Sequence, residues 1–315
     1  MLDIHQLNVF LTASETLNFT QAAQRLHMSQ PSVSQHIQAL ERHFGTPLFV
    51  RAGRNLHLTD AGLTLVPMVR EIVRQSIHIE ETMRSLQGQI SGHLIVGCST
   101  TPGKYILPHL LANFHQQYPK VRVTCQVSSQ VQAIEDLCQG EIHFALTSHL
   151  KDLCRDADFQ HFLCEKISLV VPVDHPWAER GTIQPDELFD ADFILREPES
   201  GTYVAVQKAL MNINVDIRQL NTMLVLGNSE AIAMSVLEGL GVGFISSSVV
   251  QHIGQGRIVP VSVSDINICR DIFIGCNTRI PSTKAQAAFW DFITGLPLPI
   301  EQADSLNEFF ALADT

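Results

Sequence analysis

One stretch of the sequence concentrates hydrogen-bonding side chains on a single predicted helix face. Ser29 is a suitable N-cap for this helix, and Pro31 falls in the first turn, where the missing N–H costs little. Amide side chains can pair bidentately with adenine, hydroxyls hydrogen-bond to bases, and a helix N-terminus favours phosphate. The face is therefore suited to reading base edges in DNA. Its members are Gln30, Pro31, Ser32, Ser34, Gln35 and Gln38.

The opposite face of the same helix is apolar. Val33, Ile37, Leu40 and Phe44 recur at helical spacing and predict a core stripe, and Gly45 is expected to end the helix. A polar face alone is usually just solvated. Here the polar face follows a compact predicted helix. Thr20 is expected to cap this shorter helix and to contact DNA. A tight turn at residues 27–28 separates the two helices, so the combination predicts a helix-turn-helix.

An arginine-bearing turn follows the predicted helix-turn-helix. Two short extended runs, residues 46–50 and 56–58, flank Arg51 and Arg54 and predict a β-hairpin wing. These arginines are expected to reach phosphates or the minor groove beside the recognition helix. The alternative is an ordinary solvated turn.

A long amphipathic helix is predicted after the wing, with Thr59 as its cap. Apolar side chains alternate spacings of four and three, as in a heptad seam interrupted once by Ser76, and Pro67 is expected to bend the helix or remove a bond. A helix this apolar should pair with a second copy, which predicts a dimer. The seam consists of Leu65, Val69, Ile72, Ile79, Met83, Leu86 and Ile90, with Val66, Val73 and Ile77 beside it.

The charge is unevenly distributed along the 315 residues. The net charge is −11, but up to Gly88 seven arginines balance seven acidic residues, so the excess of acid belongs to the remainder. Attraction to DNA must then come from local arginines and backbone amides. No long apolar run and no signal-peptide pattern is present, so a cytoplasmic protein without a membrane partner is expected.

The seven cysteines are odd in number and form no Cys-x-x-Cys pair. Most lie in apolar runs, which predicts reduced, buried thiols, with a metal or redox site as the alternative. The histidines form no His-Glu-x-x-His arrangement, and no metal ligand is expected.

Beyond residue 90 the pattern changes to alternating strands and helices, which predicts parallel sheets covered by helices, in two lobes. Hydroxyl-bearing residues fall just after several predicted strands, where parallel sheets bind ligands. Such groups, with Arg196 and Thr202 at the head of the second lobe, suit a small polar or anionic metabolite. The other members of this predicted effector site are Ser99, Thr100, Thr101, Ser128, Ser129, Thr147 and Ser246.

Enzyme motifs fit the sequence poorly. The run Gly239-x-Gly241-x-Gly243 follows a helix and precedes a strand, the reverse of the order needed to cradle a pyrophosphate. Close packing in a helix-to-strand turn explains it better. No nucleophile elbow or partnered carboxylate pair is present, so no catalytic residue and no cofactor is expected. The remaining alternative is a solute-binding sensor that does not bind DNA.

The chain resembles the LysR-type transcriptional regulators over nearly its whole length. The most specific matches are Phe19-Thr20-x-Ala22-Ala23-x-x-Leu26, Ser29-Gln30-Pro31-Ser32-Val33-Ser34, Ile37-x-x-Leu40-Glu41, Leu48-Phe49-x-Arg51 and Leu58-Thr59-x-Ala61-Gly62. Residues 99–108, 196–202, 227–232 and 238–243 resemble the CysL and CbbR subgroup. Ser246-Ser247-Ser248 departs from it, since the family usually has a proline there.

This resemblance implies a definite architecture. Residues 1–59 are expected to form an all-α winged helix-turn-helix domain, 60–89 a dimerisation helix and 90–315 an α/β effector domain. The effector domain would have two lobes like periplasmic binding proteins of type 2, about 90–166 with 265–315, and about 167–264. The resemblance further implies a homotetramer that binds promoter DNA and a small-molecule effector. RNA polymerase is a further candidate partner.

Overall fold

The computed structural model describes residues 1–53, 55–85, 90–148, 155–254 and 256–296. The chain separates into two compact units, Met1–Gln89 and Ile90–Thr315. Each unit has its own hydrophobic core, so each is described by itself. Within the described ranges, no helix is long and apolar enough to cross a membrane.

The first unit consists of helices and one hairpin. In chain order the elements are α1 (Ile4–Thr16), α2 (Phe19–Arg25), α3 (Gln30–Phe44), β1 (Phe49–Ala52), β2 (Asn55–Leu58) and α4 (Asp60–Ser85). The two strands pair antiparallel as the predicted wing. Ser29 caps α3 and Gly45 ends it, both as expected.

Two local expectations for the first unit are wrong. Asn18 caps α2, because its side-chain oxygen accepts the backbone N–H groups of Thr20 and Gln21 at 2.9 and 3.1 Å. Thr20 therefore lies inside the helix. On α3, Val33 is fully buried but Phe44 is 39% exposed, so the core stripe ends one turn before the helix does.

Helix α4 has two different apolar faces. Val69 and Val73 are buried in the core of the first unit, whereas Ile72, Ile79 and Met83 are exposed. The proposed seam therefore begins inside the domain and continues as an unpartnered stripe. The helix runs without interruption through Pro67.

One position at the end of the predicted seam does not support it in this structure. Ile90 packs against the core of the second unit and not along α4. Leu86 lies outside the described residues. So do Leu306, Phe309, Phe310 and Leu312, whose spacing in the sequence predicts a final short helix.

The second unit is built on one ten-stranded sheet with helices against it. Its strands are β3 (Gly92–Cys98), β4 (Val121–Val127), β5 (Phe144–Thr147), β6 (Ala157–Pro172), β7 (Thr182–Ile183), β8 (Asp192–Arg196), β9 (Asn221–Leu226), β10 (Val242–Ser246), β11 (Ile258–Val263) and β12 (Ile268–Asn277). Its helices are α5 (Leu107–Gln117), α6 (Gln130–Gln139), α7 (Pro176–Arg180), α8 (Gly201–Asn212), α9 (Ser229–Leu237), α10 (Ser247–Ile253) and α11 (Lys284–Thr294).

The sheet is parallel at its two ends and antiparallel in the middle. The strand order is β4-β3-β5-β12-β6-β10-β8-β9, and β6 and β12 pair antiparallel along their length. The expectation of parallel sheets is therefore wrong for the centre. These two long strands belong to both lobes, because Phe162 and Ile274 lie in one core and Ile167 and Ile268 in another. We call the part around β3–β5 lobe I and the part from β7 to β11 lobe II.

The glycine run between α9 and β10 allows close packing, as the sequence indicated. A Cβ atom at Gly241 would lie 2.5 Å from the Asp192 carbonyl oxygen, and one at Gly243 would lie 2.6 Å from the Ile232 side chain. Gly241 also has a φ of +154°, which favours glycine. Gly241 and Gly243 therefore allow β10 to pack closely against neighbouring elements.

A disulfide joins the two long strands. Cys164 on β6 and Cys269 on β12 are bonded, with their Cα atoms 5.8 Å apart. The prediction of uniformly reduced thiols is therefore wrong for this pair. The cysteines are diagonal neighbours, since Cys164 pairs with Asp271 and Cys269 with Lys166 in the antiparallel register. Cys98, Cys125 and Cys276 are free thiols.

Candidate functional site

The predicted DNA-reading face lies at the start of α3. The Ser29 hydroxyl accepts the Ser32 backbone N–H at 3.3 Å, and Pro31 occupies the first turn. The Gln30 amide donates to the Ser34 hydroxyl at 2.9 Å. This bond orders two of the predicted contact side chains along the helix surface.

The long amides on this face point to solvent. Gln35 and Gln38 are exposed, while Val33 and Ile37 on the other side of the helix are buried. Thr20 is exposed on the preceding helix. An exposed amide keeps both its donor and its acceptor available for a base edge.

The wing is attached to α3 by Glu41, a residue whose role the sequence did not reveal. Its carboxylate accepts the backbone N–H groups of Leu48 and Phe49 at 2.8 and 3.2 Å. The Phe49 end of β1 is thereby tied to the recognition helix. Arg51 is exposed further along β1, and Arg54 lies outside the described residues.

In the second unit, lobes I and II meet around Gln130. Its side-chain oxygen accepts the Thr147 hydroxyl at 3.2 Å and both the backbone N–H and the hydroxyl of Ser148, at 2.7 and 2.8 Å. Gly201, at the start of α8 in lobe II, sits directly against this group. A Cβ atom there would fall 1.8 Å from the Ser148 hydroxyl oxygen, so only glycine permits the approach.

A buried charge cluster lies on the central strands beside the start of α8. Arg270 on β12 forms an ion pair with Glu165 on β6 and donates to the Thr202 hydroxyl at 3.1 Å. The Ser248 hydroxyl donates to Glu165 at 3.0 Å. All four residues are nearly inaccessible to solvent. We call Glu165, Thr202, Ser248 and Arg270, together with Ser246, the hinge cluster.

Two buried polar atoms of the hinge cluster have no hydrogen-bond partner among the described residues. They are the Arg270 Nε and the Ser246 hydroxyl oxygen. Ser246 pairs with Ile167 on β6, two residues from Glu165. The sequence pointed to Thr202 and Ser246 but missed Glu165, Ser248 and Arg270, which come together only through strand pairing.

The other predicted effector residues have local roles. The Ser129 hydroxyl caps α6 by accepting the Gln132 N–H at 3.2 Å, and the Ser128 hydroxyl donates to the Ser129 carbonyl at 3.3 Å. Arg196 pairs with Glu197 through two bonds of 2.7 and 2.8 Å and also donates to Ser229 at 3.3 Å. No described bond joins these residues to the hinge cluster.

The segment after β3 faces lobe II. Ser99 and Thr100 are half-buried and Thr101 is buried. A π-helical turn, Pro102–Ile106, follows them. Lys104 and Tyr105 on this turn both bind Glu230 of α9. The Lys104 ion pair, with the Tyr105 hydrogen bond, lowers the pKa of Glu230. Burial and the hydrogen bond to Glu230 raise the pKa of Tyr105.

Two family patterns cover most of the chain. The bacterial regulatory helix-turn-helix pattern of the LysR family matches residues 4–63. The LysR substrate binding domain matches residues 87–296. The chain belongs to the LysR family of transcriptional regulators. Its members regulate transcription and are not enzymes, and the helix-turn-helix match removes the alternative of a solute sensor that lacks a DNA-binding domain.

Individual relatives agree with this assignment. The chain is 30% identical to a probable RuBisCO transcriptional regulator of Synechocystis, over 91% of this chain and 84% of that protein. Its fold is similar to full-length CbnR complexed with target DNA, at 21% identity and a TM-score of 0.66, over 93% and 99% of the two chains. It is also similar to the Synechocystis CcmR regulatory domain in complex with 2-PG, at 26% identity and a TM-score of 0.59. That match covers 67% of this chain and 99% of the other.

Proposed function

We propose that this LysR-type regulator recognises promoter DNA through α3 and the wing. The observation that carries the proposal is the exposed amide row of Gln35 and Gln38 on a helix with a capped N-terminus, together with the exposed Arg51 on the wing. Because the first unit has no excess of positive charge, base reading supplies specificity and two copies of the unit supply affinity. The copies pair along α4, as a homodimer within a homotetramer. The protein acts in the cytoplasm, and RNA polymerase is its partner when it activates.

The second unit, in this proposal, senses a small polar or anionic metabolite at the hinge cluster. A buried polar atom without a partner costs about 1–3 kcal/mol. An anionic oxygen placed near Arg270 would accept from its unpartnered Nε and relieve that cost. The Ser246 hydroxyl can donate to the same ligand. No cofactor beyond this metabolite is part of the proposal.

The likeness to the CcmR regulatory domain in complex with 2-PG supports a small-molecule ligand in the second unit and supplies a first probe. Because the hinge cluster joins β6, β10, β12 and α8, a ligand held there would contact elements of both lobes. It can therefore bias their relative position, which is how a metabolite would reach promoter binding or activation.

DNA recognition is tested by selecting, from a pool of random DNA duplexes, those that the full-length protein binds. Gel shift then measures the affinity of the protein for the enriched sequence. The expected result is one enriched motif with two related half-sites. Recovery of no motif at low salt would contradict the DNA part of the proposal.

The effector part is tested by thermal shift of the full-length protein with 2-PG, inorganic phosphate and sulfate. We expect at least one of these anions to raise the unfolding midpoint of the wild type. Ser246→Ala should weaken this shift without lowering the midpoint of the free protein, because its hydroxyl bonds to no described residue. Ser262→Ala, an exposed lobe II serine, is the matched control and should leave the shift unchanged. Equal shifts in both variants would place the ligand elsewhere.

A further inference from the structure

Two free thiols lie side by side at the end of β3. The Sγ atoms of Cys98 and Cys125 are 3.5 Å apart. Strands β3 and β4 are parallel neighbours, and Val96, two residues before Cys98, pairs with Cys125. Residues two apart on a strand point to the same face, so both sulfur atoms lie on one face of the sheet. Neither thiol has a place in the proposed DNA or effector chemistry.

The two thiols differ in access to solvent. Cys98 is fully buried, whereas Cys125 is exposed on β4, the outermost strand at this end of the described sheet. The hydrogen bond from Cys98 lowers the pKa of Cys125 to about 7, and the same bond, with burial, raises the pKa of Cys98. Cys125 is therefore the more readily ionised thiol of the pair, and Cys98 the one that keeps its proton. Burial instead raises the pKa of Cys276, another free thiol among the described residues, to about 11.

The backbone leaves room beside both sulfur atoms because residue 103 is glycine. A Cβ atom on Gly103 would lie 2.8 Å from the Cys98 sulfur and 3.8 Å from the Cys125 sulfur. Any larger residue would crowd the pair. Gly103 lies in the turn that carries Lys104 and Tyr105, so the dithiol borders the segment that joins lobe I to lobe II.

We propose that Cys98 and Cys125 form a peroxide-reactive dithiol that closes reversibly to a disulfide. The Cys125 thiolate attacks one peroxide oxygen, the O–O bond breaks, and the leaving oxygen takes a proton. Cys125 becomes a sulfenic acid. The Cys98 sulfur then attacks the Cys125 sulfur, and the sulfenic oxygen leaves as water with the Cys98 proton. With hydrogen peroxide, two thiols and one peroxide give one disulfide and two waters.

The geometry requires only a small movement. The sulfur atoms must approach from 3.5 Å to about 2.05 Å, the length of a disulfide bond. A small thiol reverses the reaction by exchange. Because Cys125 is exposed, it is the sulfur that attacks the peroxide in the oxidation and the sulfur that the small thiol attacks in the reduction.

The test is peptide mapping of full-length protein after brief treatment with hydrogen peroxide. The wild type should yield a Cys98–Cys125 cross-linked peptide, two hydrogen atoms lighter than the two thiol peptides, and dithiothreitol should remove it. Cys98→Ser should instead accumulate a Cys125 sulfenic acid that dimedone traps. Cys125→Ser should leave Cys98 unmodified, because the remaining thiol is buried and protonated.

Cys276→Ser is the matched control and should leave the cross-link unchanged. In the wild type, Cys125 should react at least about ten-fold faster than Cys276, since the thiolate is the nucleophile. Failure of the cross-link to form in the wild type, or modification of Cys276 as fast as Cys125, would overturn the proposal. Because the decisive measurement uses wild-type protein, misfolding of a serine variant does not affect it.

Discussion

Tyr105 donates a hydrogen bond of 2.6 Å to the Glu230 Oε1 atom, although the two residues lie 125 positions apart and in different lobes. The Tyr105 ring also packs against the core around α9 and lies 4.9 Å from the ring of His252. Lys104 forms an ion pair with the same carboxylate. One glutamate of lobe II therefore holds two neighbouring side chains of lobe I, beside the predicted effector residues 99–101.

Tyr105→Phe should lower the apparent stability of the second unit by about 1 kcal/mol, the contribution of one hydrogen bond to a partly exposed carboxylate. The ring contacts remain in this variant, so only the bond is lost. Thermal unfolding of the full-length protein provides the measurement. Tyr118→Phe is the matched control, since the Tyr118 hydroxyl bonds to no described residue. An equal fall in both variants would show that the bond across the lobes contributes nothing.

The contribution of Glu230 should depend on pH. Its pKa is lowered in the folded protein, so its stabilising effect is complete above the ordinary glutamate pKa of about 4.3. The effect is lost as the pH falls below that value and through the lowered pKa of the folded state. The gap in unfolding midpoint between wild type and Glu230→Gln should therefore narrow on acidification. A gap that stays constant from neutral to acidic pH would argue against the ion pair.

Gln35→Ala should reduce the preference for the selected site over a site changed at one base pair by about 1–3 kcal/mol. The exposed amide of Gln35 can make two bonds to a base, and alanine makes none. Gln24→Ala on α2 is the control and should retain the preference. If Gln35→Ala weakened binding to both sites equally, the side chain would contact the backbone and not a base.

Arg51→Gln should weaken binding to all sequences and reduce the salt slope of the logarithm of affinity by about one. The exposed arginine on β1 is positioned to neutralise one phosphate. Titrations of one duplex at several salt concentrations measure the slope. Wild type and variant with parallel slopes would show that Arg51 makes no phosphate contact.

Ile79→Glu should break the pairing along α4 and lower the association state, because it places charge in the exposed apolar stripe of that helix. Ile77→Glu provides the control: this isoleucine is also exposed, on the same helix but off the heptad positions. Sedimentation of both proteins should show dissociation only for Ile79→Glu. A fully associated Ile79→Glu would mean that the copies pair through another surface.

Val69, although a heptad position, is not suitable for this test. Its side chain is completely buried in the core of the first unit, so a charge there should unfold that unit. The spacing of four and three residues is common to a seam and to a helix that packs on its own domain. Burial distinguishes the two, and the sequence does not show burial.

Local features were predictable where one short segment decides them. Ser29 before Pro31, and the stripe from Val33 to Leu40, depend on neighbours within a few turns. The N-cap of α2 was harder to predict, because Asn and Thr are both common N-cap residue types and helix ends vary by one or two positions. Asn18 and Thr20 were therefore both possible caps.

The hinge cluster was only half visible in the sequence. Arg270 and Thr202 lie 68 positions apart, and Arg270 and Glu165 lie 105 apart. Their contacts depend on the antiparallel register of β6 and β12, whereas the alternating pattern had indicated parallel strands. The first half of β6 contains polar residues along Ala157–Lys166, so the sequence pattern did not predict a strand there. Glu165 lies in this half of the strand.

The double use of α4 has a consequence for the angular relation between the two DNA half-sites. The same helix packs into the core of the first unit through Val69 and, in the proposed dimer, carries the pairing stripe at Ile72 and Ile79. The proposed pairing surface would therefore turn together with the core that holds α3. One residue inserted into α4 between Val69 and the stripe would rotate the stripe by about 100° around the helix axis. The angular phase of the two half-sites is therefore encoded in the number of residues between Val69 and Ile79.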